Sequence, residues 1–180
     1  MEQQQYFIRP LKTKDAWRML EWMHNDDIMQ YFQFDGKSAK LEDVLQFIEA
    51  SRDESKNLHR AIVDKNDCYL GTISLKNICI EKQDAEYAIS LHPSAIGTGV
   101  AFSATDLIIK HAFDRLHLSL VYLNVLEKNI RAIRFYEKYG FLYEKTTTID
   151  FHGIEHKLRW YYIMNLERGN KLDVEFCDRQ

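Results

Sequence analysis

Cysteine and proline are scarce in this chain of 180 residues. The three cysteines, Cys68, Cys79 and Cys177, are widely spaced and odd in number, and no C-x-x-C pair occurs. This usage excludes a disulfide framework and a cysteine metal pair, and it favours a reduced cytoplasmic protein. The two prolines and seven glycines mark no interdomain linker. We therefore expect one domain over residues 1–166, followed by a C-terminal tail over 167–180.

The chain also lacks a dominant charge and a long apolar run. Its formal net charge of −3 provides no basic excess to neutralise the phosphates of a nucleic acid. No apolar stretch approaches the ~20 residues that span a bilayer, and the polar start of the chain is unlike a signal peptide. We therefore expect no nucleic-acid or membrane partner. The 46% of hydrophobic and 28% of charged residues are typical of a globular domain with a substantial core.

The most informative stretch begins at residue 84. Alternating polar and apolar residues predict a half-buried strand over 84–92. Pro93, which has no amide hydrogen to donate, ends that strand. A loop with two glycines follows at 97–99, and apolar residues at helical spacing predict a helix from Val100 onward.

A second strand and helix complete this stretch. The apolar run 120–126 predicts a short buried strand. Asn129 is a good helix N-cap, because its side-chain oxygen can accept a hydrogen bond from an amide of the first turn. Apolar and aromatic residues then recur at helical spacing up to Gly140, which is placed to end the helix.

The glycine loop admits two interpretations on its own. A strand that passes through two glycines into a helix leaves unpaired amides at the helix start, where the helix dipole adds positive partial charge. Such a loop favours a phosphate or pyrophosphate. The same G-T-G sequence also suits a tight turn without a ligand.

The residues around the loop resemble the GCN5-related N-acetyltransferase (GNAT) family. Residues 94–99 match the acetyl-CoA loop pattern Q/R-x-x-G-x-G/A at both glycines, with Ser94 at the position of Gln or Arg. Residues 129–141 match N-x-x-A-x-x-x-Y-x-x-x-G-F at every fixed position. The layout looks most like the branch of ribosomal-protein N-terminal and spermidine acetyltransferases, over roughly residues 6–166.

The resemblance implies an α+β fold with one mixed, mostly antiparallel central sheet flanked by helices. Strands 84–92 and 120–126 are joined through a helix, so we expect parallel neighbours, which in this family splay apart. A bulge in strand 84–92 is expected to free backbone groups for the pantetheine arm. The implied co-substrate is acetyl-CoA. The residues expected to bind it are Ile89, Ser90, Leu91, Ile96, Gly97, Thr98, Gly99, Val100, Ala101, Asn129 and Ala132.

Acetyl transfer to an amine needs a deprotonated amine, a stabilised oxyanion and a protonated or stabilised thiolate. Tyr136 matches the family position whose hydroxyl lies near the thioester sulfur, so the resemblance implies a general acid; the alternative is a core aromatic of its helix. Glu86 lies near the start of the central strand, where several family members carry an acid that reaches the amine through water, so the resemblance implies that Glu86 is the candidate base. Backbone carbonyls or ordered water are the alternatives for this role. The alternative for Glu86 itself is a solvated strand residue.

The N-terminal helices and the 151–155 hairpin are expected to form the walls of the acceptor site. Acidic and aromatic side chains there, including Asp35, Tyr31 and Phe34, suit a cationic acceptor. A polyamine, an aminosugar or aminoglycoside, and a peptide N-terminus all fit this description. Asp35 is also a second candidate for the base.

Two further predictions concern single elements. Helical spacing over residues 17–24 predicts that Trp17 and Leu20 face inward. Residues 152–156 satisfy H-x-x-E-H, a zinc pattern that requires a helix, but Gly153 indicates a hairpin turn, so we expect no metal site.

The sequence therefore predicts an acetyl-CoA-dependent N-acetyltransferase that acts as a monomer or homodimer in the cytoplasm. The alternative is a non-catalytic acyl-CoA-binding sensor with the same fold. Release of thiol from acetyl-CoA distinguishes these two functions.

Overall fold

The computed structural model of the protein describes residues 6–151 and 153–166. Its strands are β1 (Phe7–Pro10), β2 (Leu58–Val63), β3 (Tyr69–Cys79), β4 (Asp84–Leu91), β5 (Leu120–Leu126), β6 (Leu142–Phe151) and β7 (Ile154–Met164). Its helices are α1 (Ala16–Met23), α2 (Asp26–Met29), α3 (Leu41–Ala50), α4 (Val100–Asp114) and α5 (Ile130–Tyr139). Short 3-10 turns lie at Thr13–Asp15 and Pro93–Ala95. The strand, helix, strand and helix predicted between residues 84 and 140 are confirmed.

The seven strands form one mixed sheet in the order β1-β2-β3-β4-β5-β7-β6. Strands β4 and β5 are parallel, and the other neighbouring pairs are antiparallel. The parallel pair extends only over residues 84–86 of β4 and 120–122 of β5. Beyond this point the two strands diverge, so the predicted splay is confirmed. The edge of β4 over residues 87–91 consequently faces a gap in the sheet.

The bulge predicted in β4 is wrong. The register between β3 and β4 runs without a break from Gly71 opposite Leu91 to Lys76 opposite Glu86. The register shift in this pair lies farther along, between Lys76 and Cys79. The His92 amide donates to the Leu70 carbonyl, so Ser90, two residues earlier and opposite Thr72, also bonds to β3. The backbone groups of Ile89 and Leu91 therefore face the gap because β5 turns away, while β4 itself stays regular.

Helix α4 covers one face of the sheet. Val100, Ala104, Ile108 and Ala112 are completely buried along one side of the helix, as expected for apolar residues four positions apart. They belong to the same core cluster as sheet residues such as Val121. This packing fixes the start of α4, and with it the glycine loop, next to the end of β4.

Helices α1 to α3 pack with the first strands in a second core cluster, which includes Ala61, Val63 and Tyr69. The prediction for Trp17 is wrong, because this side chain is 64% exposed. Trp22 is buried instead, and its indole Nε1 donates a hydrogen bond to the Tyr69 hydroxyl at 3.1 Å. Leu20 is buried as predicted.

The chain turns sharply between β6 and β7. Strand β6 ends at Phe151 and β7 begins at Ile154, so the H-x-x-E-H pattern does not lie on a helix, as predicted; its first histidine is outside the described residues. In the described ranges no helix is long and apolar enough to cross a membrane. The predicted tail at 167–180 also lies outside the described residues.

Candidate active site

The gap between β4 and β5 opens into two adjoining cavities. We call the first the loop cavity: it has a volume of about 430 Å³ and lies between the end of β4, the glycine loop and α5. We call the second the floor cavity: it has a volume of about 630 Å³ and lies between the sheet and helices α1 and α3. Both volumes are in the range of small-molecule sites.

The loop cavity brings together most residues predicted to bind acetyl-CoA. Gly97 and Gly99 adopt φ angles of +81° and +84°, a conformation that other residues reach only with strain. Arg131 and Lys138 add positive charge to the lining. This combination of glycine loop, helix start and cations suits a phosphate-bearing ligand. The predicted residues that line the cavity are Ile89, Ser90, Leu91, Ile96, Gly97, Gly99, Ala101, Asn129 and Ala132.

Two of the predicted cofactor residues do not line the cavity. The Thr98 hydroxyl donates a hydrogen bond to the Ala95 carbonyl at 2.7 Å, which ties the loop to itself. Val100 is fully buried in the core. Both side chains therefore support the loop from behind.

An arginine from α1 contacts the position where the family pattern has Gln or Arg. The Arg18 guanidinium donates to the Ser94 hydroxyl at 3.1 Å and to the Tyr69 carbonyl at 2.8 Å. The same guanidinium lies 3.1 Å from His92 Nδ1, and His92 Nε2 lies 2.7 Å from the Glu21 carboxylate. The sequence pattern gave no signal for this link, because Arg18 and Ser94 are 76 positions apart.

Tyr136 lies where the two cavities meet. Its ring packs against Tyr87, Phe135 and Phe141, with ring centroids 5.4–6.0 Å apart. Burial raises the pKa of Tyr136 above its ordinary value, so the hydroxyl stays protonated at physiological pH. No other described residue forms a hydrogen bond with this hydroxyl. The residues shared by the two cavities are Tyr31, Phe32, Ile89, Ser90, Asn129 and Tyr136.

Asn129 caps its helix and also lies at the cavities, so its predicted contact with the cofactor stays a prediction. Its side-chain oxygen accepts a hydrogen bond from the Ala132 amide at 3.2 Å, which caps α5. The residue also lines both cavities. Gly140 ends the same helix at a φ of +115°, so both predicted ends of α5 are confirmed.

Glu86 lines the floor cavity with its carboxylate already engaged. One carboxylate oxygen lies 2.8 Å from Lys76 Nζ, and the other accepts a hydrogen bond from Asn77 Nδ2 at 3.0 Å. The side chain is 17% exposed. Glu86 is therefore a half-buried member of an ion pair and not a solvated strand residue.

The floor cavity has a polar floor and an aromatic roof. The floor is one face of β3 and β4, where Thr72, Ser74 and Lys76 stand opposite Ser90, Ala88 and Glu86. The roof consists of rings from the N-terminal segment; Trp22 and Phe32 have centroids 5.4 Å apart, and Phe34 lies 5.6 Å from Phe32. Asp43 of α3 adds a carboxylate to the lining.

The structure separates the three predicted acceptor residues. Tyr31 and Phe34 line the floor cavity, but Asp35 lies in a separate surface depression next to Lys37. Its carboxylate accepts hydrogen bonds from the amides of Ser38 and Lys37. The Ser38 hydrogen bonds lower the pKa of Asp35. Asp35 is therefore a turn-stabilising residue outside the cavity, and Asp43 is the carboxylate that α3 brings to the site.

Several lining residues were not singled out from the sequence. His59 of β2, Phe47 of α3 and Asn124 of β5 all line the floor cavity. His59 and Phe47 come from elements far from the motif residues, and Asn124, although it lies shortly before Asn129, is not a fixed position of the motif. The alternation of side chains along a strand predicts which face of β2 holds His59. Only the three-dimensional structure shows which elements pack on that face.

Comparison with known proteins agrees with this geometry. The family model described as Acetyltransferase (GNAT) domain matches residues 6–142. The spermidine N(1)-acetyltransferase of Escherichia coli K12 is 29% identical over 142 residues, which cover 76% of this chain and 73% of that protein. The spermidine N(1)-acetyltransferase of Vibrio cholerae is 22% identical over 169 residues, covering 93% of this chain and 97% of that protein.

Solved structures extend the likeness to the whole described fold. The crystal structure of spermidine N-acetyltransferase from Vibrio cholerae, in complex with CoA and spermine, matches with a TM-score of 0.80 at 22% identity. The match covers 89% of this chain and 95% of that one. The chain therefore belongs to the GNAT acetyltransferase family, whose members transfer an acetyl group from acetyl-CoA to an amine.

Proposed function

We propose that this enzyme acetylates a primary amine of a polyamine, such as spermidine or spermine, with acetyl-CoA as the co-substrate. The observation that carries the proposal is the floor cavity, which joins an aromatic roof and two carboxylates to the thioester site at Tyr136. Several relatives are named as spermidine N-acetyltransferases, which favours the same class of acceptor here.

The lining of the floor cavity is suited to a slender cation. Aromatic faces attract ammonium groups, and the apolar edges of the same rings accommodate the methylene segments between the amines. Asp43 and Glu86 contribute two negative charges, and Lys76 contributes one positive charge. The cavity is therefore slightly acidic and can hold a chain with more than one ammonium group.

The reaction requires the amine nitrogen to attack the thioester carbon while the C–S bond breaks. The open edge of β4 beyond Glu86 offers backbone groups to an extended ligand, in the way that a strand adds to a sheet edge. Unpaired amides on that edge are suited to stabilising the oxyanion. Tyr136 is protonated and donates its proton to the thiolate that leaves. The proposed cofactor residues of the loop cavity hold the phosphates.

The proposal is tested by measuring thiol release from acetyl-CoA with a panel of amines. The panel contains spermidine, spermine, butylamine as a matched monoamine, an aminosugar, an aminoglycoside and a peptide with a free N-terminus. We expect kcat/KM for a polyamine to exceed that for butylamine by about tenfold or more, because a second ammonium adds roughly 1.4 kcal/mol of interaction.

Two other results have distinct meanings. Faster turnover of the peptide or the aminosugar would contradict the polyamine assignment and leave the transferase activity intact. Binding of acetyl-CoA without thiol release for any amine would favour the sensor function. The cytoplasmic location, the monomeric or homodimeric state and the absence of nucleic-acid or membrane partners stay predictions from the sequence.

A further inference from the structure

His59 is a titratable residue of the floor cavity that the family motifs do not include. It lies on β2, directly opposite Ser74 of β3, and its Nδ1 is 2.7 Å from the Ser74 hydroxyl oxygen. The Phe47 ring packs against the imidazole with centroids 4.9 Å apart. Both His59 and Ser74 line the cavity, so the pair faces the space in which the acceptor binds.

The strand register leads from this pair to the reaction site. Ser74 stands opposite Ala88 of β4, one residue before Ile89, which lines both cavities. Neighbouring strands are about 4.8 Å apart, so His59 lies two strand spacings, or about 10 Å, from the edge of β4. The small side chain of Ala88 leaves space above β4 between Ser74 and the junction of the cavities.

The charges around His59 favour a neutral imidazole. Burial lowers the pKa of His59, and the positive charges of Lys76 and Arg60 lower it further. Arg60 is paired with Glu54 at 2.8 Å and Lys76 with Glu86 at 2.8 Å. From the other side, α3 contributes Asp43 and β4 contributes Glu86 to the same cavity. A neutral imidazole with one nitrogen on a hydroxyl can take up a proton through that hydroxyl.

Glu86 is less suited to the same task. Both of its carboxylate oxygens already accept from cationic or amide donors, Lys76 and Asn77. Taking a proton would neutralise the carboxylate and remove the charge that pairs with Lys76. His59 has one nitrogen on Ser74, and no other described residue hydrogen-bonds to its side chain.

We propose that Ser74 and His59 form the path by which the acceptor amine loses its proton. The amine nitrogen, directly or through one water, gives a proton to the Ser74 oxygen, and the Ser74 proton passes to His59 Nδ1. The neutral nitrogen then forms the C–N bond as the C–S bond breaks, and Tyr136 protonates the thiolate. Tyr136 regains a proton from the new amide nitrogen, directly or through water, so that both protons of the amine are accounted for. His59 returns its proton to solvent before the next turnover. The inference rests on the acetyl transfer proposed above and not on which amine is the acceptor.

The test is the pH dependence of kcat with the best amine of the panel, measured from pH 5.5 to 9. For the wild type we expect kcat to rise with pH through an inflection below 6.5, because His59 must be neutral to accept a proton. His59→Gln should lower kcat by about 100-fold, in the range of general base catalysis, and should remove the inflection. Ser74→Ala should lower kcat in the same direction, and Glu86→Gln should keep the inflection.

The controls separate this role from structural damage. His111→Gln makes the same chemical change on α4, outside both cavities, and should leave kcat and its pH profile unchanged. The affinity of each variant for acetyl-CoA should stay within about twofold of the wild type. Wild-type turnover tests the proposed function, and the His59→Gln profile tests this inference alone. An unchanged kcat or a retained inflection in His59→Gln would overturn it, and an inflection lost only in Glu86→Gln would assign the proton to Glu86.

Discussion

Tyr136 shows how one side chain serves the core and the site together. Its ring is enclosed by Tyr87, Phe135 and Phe141, as the core interpretation of its helical spacing requires. Its edge reaches the junction of the two cavities, as the family pattern implies. The two alternatives are therefore compatible, because the ring supplies packing and the hydroxyl supplies the chemistry.

Removing only the hydroxyl should isolate its chemical role. In Tyr136→Phe the ring contacts remain, so we expect little change in stability or in affinity for acetyl-CoA. Loss of the proton donor should lower kcat by about 100-fold, the usual scale of general acid catalysis. The measurement is thiol release under saturating acetyl-CoA and amine, together with binding of acetyl-CoA.

The matched control for this change lies one turn along the same helix. Tyr139 is a half-buried tyrosine of α5 that lines neither cavity, and its hydroxyl donates to Asp106 at 3.5 Å. Tyr139→Phe should keep the wild-type kcat. Similar kcat values in Tyr136→Phe and the wild type would show that Tyr136 is only a core residue.

Single residues differ in how far the sequence determines their role. Gly97 and Asn129 belong to local patterns whose spacing alone indicates a loop and a helix cap. The structure confirms the loop at Gly97 and the cap at Asn129. Asp35 and His59 have no such pattern. An acid or a histidine lines a cavity only if other elements pack above it. Those elements are distant in the sequence, so a local pattern does not reveal their positions. The sequence therefore wrongly predicts Asp35 as an acceptor-site residue, and it does not identify His59.

At the scale of elements, the glycine loop is the feature whose backbone matters most. A Cβ atom added to Gly99 would meet nothing within 4 Å, but the residue has a φ of +84°. Gly99→Ala therefore costs backbone strain of about 1–2 kcal/mol without a steric clash. We expect the loop to relax away from this conformation and the affinity for acetyl-CoA to fall by about five- to thirtyfold, as measured by titration calorimetry.

A glycine in a comparable environment provides the control. Gly153 in the β6–β7 turn has a φ of +73° and also has open space at the Cβ position. Gly153→Ala introduces the same kind of backbone strain, so both variants should lower the melting temperature, but Gly153→Ala should leave the affinity for acetyl-CoA unchanged. Equal losses of affinity in both variants would mean that the loop has no specific role in binding.

Helix α1 illustrates why the location of an element is easier to predict than its orientation. Its span follows from helical spacing, but two tryptophans compete for its inner face. Trp22 is buried because its indole finds a hydrogen-bond partner in Tyr69 and ring partners in Phe32 and Phe34. Trp17 has no such partners within residues 6–151 and 153–166 and stays exposed. Those partners come from other segments of the chain, so helical periodicity alone does not determine which of the two rings is buried.

At the scale of the whole molecule, the site exists because the sheet divides. The family resemblance predicted this division, and the three-residue pairing of β4 with β5 confirms it. The predicted mechanism, a bulge in β4, was wrong, because a bulge depends on hydrogen bonds between strands, and no residue type in Asp84–Leu91 reports them. The fold was therefore predictable from motifs, but the detailed edge of β4 was not.

The free energy of unfolding should depend on pH through two partly buried histidines. Burial is the largest cause that lowers the pKa of both His59 and His111. Their pKa values in the folded state are thus below the unfolded value of about 6.5, and the unfolded state binds more protons as the pH falls through that value. The histidine contribution to the free energy of unfolding is therefore fully present above about pH 6.5 and is lost as the pH falls below this value. Carboxylates with a lowered pKa, such as Asp67, lose their contribution only below about pH 4.

We therefore expect the melting temperature of the ligand-free protein to fall by a few degrees between pH 7.5 and pH 5.5. His59→Gln and His111→Gln should each reduce this decline, because glutamine has no proton to gain, and the double variant should reduce it further. Between pH 7.5 and 8.5 neither histidine titrates, so the curves of all four proteins should run parallel there. A wild-type melting temperature that stays constant down to pH 5.5 would contradict the assignment of both histidines as neutral, partly buried groups.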